Sequence, residues 1–206
     1  MNRFSTQNIL SLTVLSLGLV LTGCLTDDDG DGDGVTVADS LSVRLVTVGA
    51  QDNADYGSAL DIDNMVAYKI AEAKTRTGDI DLIYAVSTSG IGGTPTPAIY
   101  SPDSAKGGIN GSAGFTFLSD FNNPNHTVIK SSGLTTQAAF DAINTKEKLD
   151  SLWTTAAVDA DGKINLVVDG SFMAMSNTGR KVLIRVINFA GTGTGNSANF
   201  KAQAKF

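Results

Sequence analysis

Asn177-Thr178-Gly179 separates two runs of β-favouring residues, SFMAM (171–175) and KVLIRVINF (181–189). A short Asn/Gly-containing turn between such runs is the strongest local signal for a hairpin. Gly191-Thr192-Gly193-Thr194-Gly195 then ends the second run, and ANFKAQAKF (198–206) follows as another strand. Upstream, Asp159-Ala160-Asp161-Gly162 is a turn before a strand at 164–168, and Gly170 breaks the run that follows. The C-terminal third therefore reads as an antiparallel meander. With further strands expected at 41–48, 65–70, 79–87 and 98–100, the chain is mainly β. The expected fold is an antiparallel β-sandwich or meander-like domain.

One stretch departs from that pattern. TTQAAFDAINTKEKLDSLWT (135–154) places Phe140, Ile143 and Trp153 roughly on one helical face, with Leu149 and Leu152 beside them. Thr135 or Thr136 is placed to cap its start. Asn144-Thr145 is placed to divide it into two short helices, with Thr145 capping the second. AEAKTRT (71–77) suits a helical turn or two, and SALDID (58–63) a short extended segment ending in a turn at Asp63-Asn64. Residues 88–125 carry all four prolines and many glycines, so this stretch is irregular, with room for a short strand at 114–118.

The amino-terminal end carries a different kind of signal. Residues 9–21 are apolar, too short for a membrane span of roughly 20 residues but suited to the core of a signal peptide. Leu21-Thr22-Gly23-Cys24 closes that run and resembles the lipobox of bacterial lipoproteins. The resemblance implies cleavage before Cys24, diacylation of its thiol and acylation of the new amino terminus. Several acyl chains anchor far better than one, because each buried CH2 adds about 0.8 kcal/mol. Leu25, rather than Asp, follows the cysteine, which implies sorting to the outer membrane. The expected organisation is a signal peptide at 1–23, a lipidated tether at 24–38 and one β-rich domain at 39–206. Cys24 is the sole cysteine, so an intramolecular disulfide is excluded and a packed core must supply the stability.

Five of the negative charges sit in the tether, at Asp27, Asp28, Asp29, Asp31 and Asp33. Residues 35–206 hold 14 basic and 16 acidic residues, so the domain is nearly neutral and carries no basic stripe for nucleic acid. DDDGDGDG fits the opening of a calcium loop in two registers, drawing on Asp27, Asp29 and Asp31 or on Asp29, Asp31 and Asp33. Position 12, where the bidentate glutamate belongs, is Ala38 or Ser40. A flexible, self-repelling spacer is the simpler reading, with weak calcium binding as the alternative and no other cofactor expected.

Catalytic patterns are incomplete. Gly191 to Gly195 lacks the third glycine of a dinucleotide fingerprint, since residue 196 is Asn, and a strand follows in place of a helix. Asn110-Gly111-Ser112-Ala113-Gly114 is not G-x-S-x-G, because residue 110 is Asn. His126, the single histidine, stands in a polar loop, NNPNHT. The i, i+2 pairs Asp61/Asp63, Asp79/Asp81 and Asp159/Asp161 suit turns and strand edges better than a glycosidase pair. The glutamates are Glu72 and Glu147, both in expected helices.

A broader similarity spans residues 58–206. ALDIDNMVAYKIAEAK, DIDLIYAVS, AIYSPDSA, AFDAINTKEKLDSLW and GSFMAMSNTGRKVLIRVINF occur in that order. The series resembles β-rich lipoproteins of unassigned function that are distantly similar to HmuY-like haem-binding lipoproteins. The resemblance implies a lipid-anchored antiparallel β fold with small helices. Haem capture in that family uses paired histidines, and this chain has one; His126 with Met173 or Met175 would be the substitute. The leading expectation is a non-enzymatic binding or structural lipoprotein facing the periplasm or the cell surface. A glycan or a protein would be its partner, with Tyr100, Phe115 and Phe121 as surface contacts. A glycan-acting hydrolase and a haem or small-ligand binder are the alternatives.

Overall fold

The computed structural model describes residues 39–87, 95–108, 121–159 and 162–204. It holds ten strands and four short helices. The strands are β1 (Ser42–Gly49), β2 (Ala59–Asp61), β3 (Val66–Tyr68), β4 (Leu82–Ser87), β5 (Thr96–Tyr100), β6 (Val128–Ser131), β7 (Lys163–Asn165), β8 (Ser171–Met175), β9 (Lys181–Ala190) and β10 (Ser197–Ala204). The helices are α1 (Ile70–Ala73), α2 (Pro102–Gly108), α3 (Gln137–Asp141) and α4 (Lys146–Thr155).

The strands form two antiparallel five-stranded sheets, ordered β1-β10-β9-β8-β6 and β3-β2-β4-β5-β7. The expected mainly β, antiparallel sandwich is the observed fold. The central core joins both sheets. Leu82, Tyr84, Val86 and Ile99 come from the second sheet, and Phe172, Val182, Ile184 and Phe200 from the first. Phe200 meets Tyr84 and Phe172 edge-on, at centroid distances of 6.2 and 6.1 Å, a geometry that suits the ring quadrupoles.

Both outer faces are also partly covered. Met173 and Leu183 pack against Phe140 of α3 and Leu149 of α4. On the other side, Ile83, Ala85, Ala98 and Tyr100 pack with Ala73, Ala105, Ile80 and Phe121. Covering two faces explains why LIYAV in β4 and VLI in β9 are continuous apolar runs without alternation. Ile80 joins Ile83 in the outer cluster and not Leu82 in the central one.

The helical stretch divides where expected. The Thr136 hydroxyl accepts from the Ala139 amide at 3.2 Å, and the Thr145 hydroxyl from the Lys148 amide at 3.4 Å. The C-terminal meander needs one correction. β8, β9 and β10 are sequential neighbours, but β7 pairs with β5 in the opposite sheet. After Asn165 the chain crosses between sheets, through Asp169 at φ 68°, and Val167 and Val168 are exposed there. β7 is accordingly shorter than the expected 164–168. Helix α2 and strand β6 lie in stretches read as irregular or unassigned. β6 is set by tertiary pairing, since it adds to the edge of β8, and α2 packs Ala105 into the outer cluster of the second sheet.

Candidate functional site

The β2–β3 turn and the β8–β9 turn meet at one corner of the sandwich. Asp63, in the first turn, accepts from the Ser176 hydroxyl at 2.9 Å and the Thr178 hydroxyl at 2.8 Å. Arg180 pairs with the same carboxylate at 3.4 Å and donates to the Asp63 carbonyl at 2.8 Å. Gly179 supplies the positive φ, 85°, that the tight turn requires. Asp61 is buried and spends both oxygens on Asn64, accepting from its amide at 2.9 Å and its side chain at 2.8 Å.

Behind these lies Asp81, 1 % exposed. Its Oδ2 accepts from the Ile62 amide at 3.0 Å, and Oδ1 has no hydrogen-bond partner. Burial pushes its carboxyl up to about 7. Asp63 and Asp61 add to the rise, and the amides of Ile62 and Asn177 oppose it. The Asn177 amide faces the carboxyl without closing a bond of normal geometry. The Asn177 and Asn125 side chains donate to the Gly78 carbonyl, at 2.9 and 2.8 Å, and tie down the loop that leads into Asp81.

The β8–β9 turn also walls a cleft of about 530 Å³ against α4. Leu41 and Leu149 supply apolar surface, and Lys146, Arg180 and Lys181 supply cations. Lys146 and Lys181 each reach one oxygen of Asp150 at 2.6 Å. These two lysines hold the Asp150 carboxyl below its ordinary value against a smaller opposing effect of burial. The lining carries more positive than negative charge, and its size falls in the range of small-ligand clefts. None of the four charged residues was singled out from sequence. The Lys146/Asp150 spacing of i, i+4 was the legible signal, but Lys181 joins them only through the fold.

His126 has an unexpected partner. Its Nδ1 lies 2.6 Å from Asp103 Oδ2, and the Ser101 hydroxyl donates to the other Asp103 oxygen. Burial raises the Asp103 carboxyl, but hydrogen bonds from Ser101, His126 and the Ser104 amide outweigh it and leave the group below its ordinary value. The order is serine–aspartate–histidine, so the hydroxyl is bound to the carboxylate and not to the imidazole. A nucleophilic triad needs the hydroxyl on the imidazole. Of the two methionines offered as haem partners of His126, Met173 is fully buried beside Phe140 and Leu183, and Met175 is half-buried at the end of β8.

The expected aromatic contacts need correcting. Tyr100 is 4 % exposed and Phe121 is fully buried, both in the outer cluster of the second sheet. Their rings complete a core face because α2 and the segment at Phe121 cover that sheet. Phe115, the strand at 114–118, Ser112 and Asp161 lie outside the described residues, as do Cys24 and the tether aspartates Asp27, Asp29, Asp31 and Asp33. Among the described residues, no group of three or more His, Cys, Asp or Glu side chains is placed to hold a metal ion. No helix among them is long and apolar enough to cross a membrane. The chain matches no family model, no curated protein and no solved structure.

Proposed function

We propose that this chain is a lipid-anchored protein of the outer membrane that binds a small organic anion and catalyses no reaction. The anchor is Cys24, supported by its place at the end of the apolar run, and the aspartate-rich stretch after it is a spacer. One observation carries the binding reading. Lys146 and Lys181 converge on Asp150 beside Arg180, over apolar Leu41 and Leu149. Two ammonium groups share one lining carboxylate next to apolar surface, with Asp39 beside Lys146. A sugar acid offers the complement: a carboxylate for the lysines and a ring face for the leucines. This keeps a glycan as the partner class and moves its contact from the aromatics to the cleft.

Titration with glucuronate, and with glucose as the uncharged control, tests the binding. Saturable glucuronate binding that weakens at least several-fold in Lys181→Met, with none for glucose, is expected. Binding unchanged by Lys181→Met, or no saturable binding at all, refutes it. For the anchor, labelled palmitate is expected in the wild type and absent from Cys24→Ala. A Cys24→Ala protein that still fractionates with membranes would sink the anchor.

A further inference from the structure

Asp81 stands beneath two turns that Asp63 already joins at the surface. Ile62, in the β2–β3 turn, donates to its Oδ2, and Asn177, in the β8–β9 turn, faces the same carboxyl. The second carboxyl oxygen is buried and unpaired. A neutral acid can sit there at modest cost, whereas a carboxylate with an unsatisfied oxygen cannot. Asp61 from β2 and Asp63 from the β2–β3 turn also face it, and both repel a charge on Asp81. Arg180, bonded to Asp63, brings positive charge from the β8–β9 turn. On its own loop Asp79 pairs with Arg76 at 4.0 Å. On the Asn125 side stands His126, held by Asp103.

We propose that Asp81 is a proton-operated latch: as the neutral acid it lets the β2–β3 and β8–β9 turns close over it, and as the carboxylate it drives them apart. Ionised Asp81 repels Asp63 and Asp61 and draws water to its unpaired oxygen. Asp63 is the anchor for Ser176, Thr178 and Arg180, so the β8–β9 turn moves with it. That turn contributes Thr178, Gly179 and Arg180 to the cleft and leads into Lys181 at the start of β9. The consequence for the ligand rests on the anion-binding reading above; the latch itself does not. Acidification would hold the cleft formed, and a rise to neutral pH would loosen it.

Amide hydrogen exchange on the full chain between pH 5 and 9, corrected for intrinsic base catalysis, tests the latch. Protection at Ile62 and across 176–180 is expected to fall by up to about tenfold per pH unit below the raised value of Asp81 and to level off above it, as one-proton linkage requires. It should stay flat in Asp81→Asn, where the amide mimics the neutral acid, and persist in His126→Asn. Flat protection in the wild type, the same fall in Asp81→Asn, or its loss in His126→Asn overturns the proposal. Should Asp81→Asn not fold, carboxyl ¹³C NMR of the wild type decides. A midpoint for Asp81 at the pH where the exchange profile levels off supports the latch, and one in the ordinary aspartate range near 4 overturns it. Glucuronate affinity at pH 6 and pH 8 separates the two readings. Binding weaker at pH 8 in the wild type but not in Asp81→Asn supports the coupling. Absence of binding at both values removes the anion reading, and the latch is then judged on exchange alone.

Discussion

The Tyr84 hydroxyl donates to the Asn196 side-chain oxygen at 2.5 Å, joining β4 of one sheet to the loop before β10 of the other. Both residues are buried. Asn196 is fixed further, because its side chain donates to the Gly191 carbonyl at 3.3 Å and its carbonyl accepts from the Ala50 amide at 2.8 Å. Tyr84→Phe keeps the ring packed on Phe200 and strands a buried acceptor, so a loss of about 1–2 kcal/mol is expected in chemical denaturation. The double variant with Asn196→Ala should fall short of the sum of the two single losses. Additive losses would show that the bond carries no coupling.

Gly57 has no room for a side chain. A Cβ there would collide with the backbone of Tyr68 and Lys69, and neither can rotate away. Gly57 also accepts from the Gly49 amide at 2.9 Å, which closes the loop between β1 and β2. Gly57→Ala should cost about 1–3 kcal/mol by overpacking. Gly78→Ala is the control, since a Cβ there meets nothing within 4 Å. Equal midpoints for the two variants in urea would contradict the assignment.

Asp150 sets an acid-side dependence. Lys146 and Lys181 hold its folded value below the ordinary one of 3.8. A depressed carboxyl contributes stability that is fully present above the unfolded value and is lost as pH falls through the folded one. Asp150→Asn should therefore be less stable than the wild type at neutral pH, and the gap should close below about pH 4. Thermal melts at pH 3 and pH 7 check this; a gap of the same size at both is the contrary result.

The two threonine caps predict helix losses of ordinary size. Thr136→Ala and Thr145→Ala each remove the acceptor for an amide in the first turn of α3 or α4. Each should lower stability by about 0.5–2 kcal/mol. The longer, 3.4 Å bond at Thr145 places that variant toward the lower end. A neutral outcome for both, measured by denaturation monitored at Trp153, would mean that sheet packing alone holds the helices.

The sequence carried the local features of this fold because local chemistry dictates them. Asn177 to Gly179 could only be a tight turn. Thr136 and Thr145 could cap helices through hydrogen bonds three residues long in sequence, and the Val, Ile and Leu runs demanded burial. Distant relationships were not encoded in that way. Both β7 and β8 read as strands, yet their assignment to opposite sheets depends on which edges are free once the sandwich closes. Tyr100 and Phe121 carry the same rings whether they line a surface or a core; the packing of Ala73, Ile80 and Ala105 over the second sheet buries them. The Asp61/Asp63 and Asp79/Asp81 spacings were visible, but the meeting of Asp61, Asp63 and Asp81 was not. A carboxylate's chemistry follows from its water and its neighbours, and for Asp81 the tertiary structure removes the one and supplies the other.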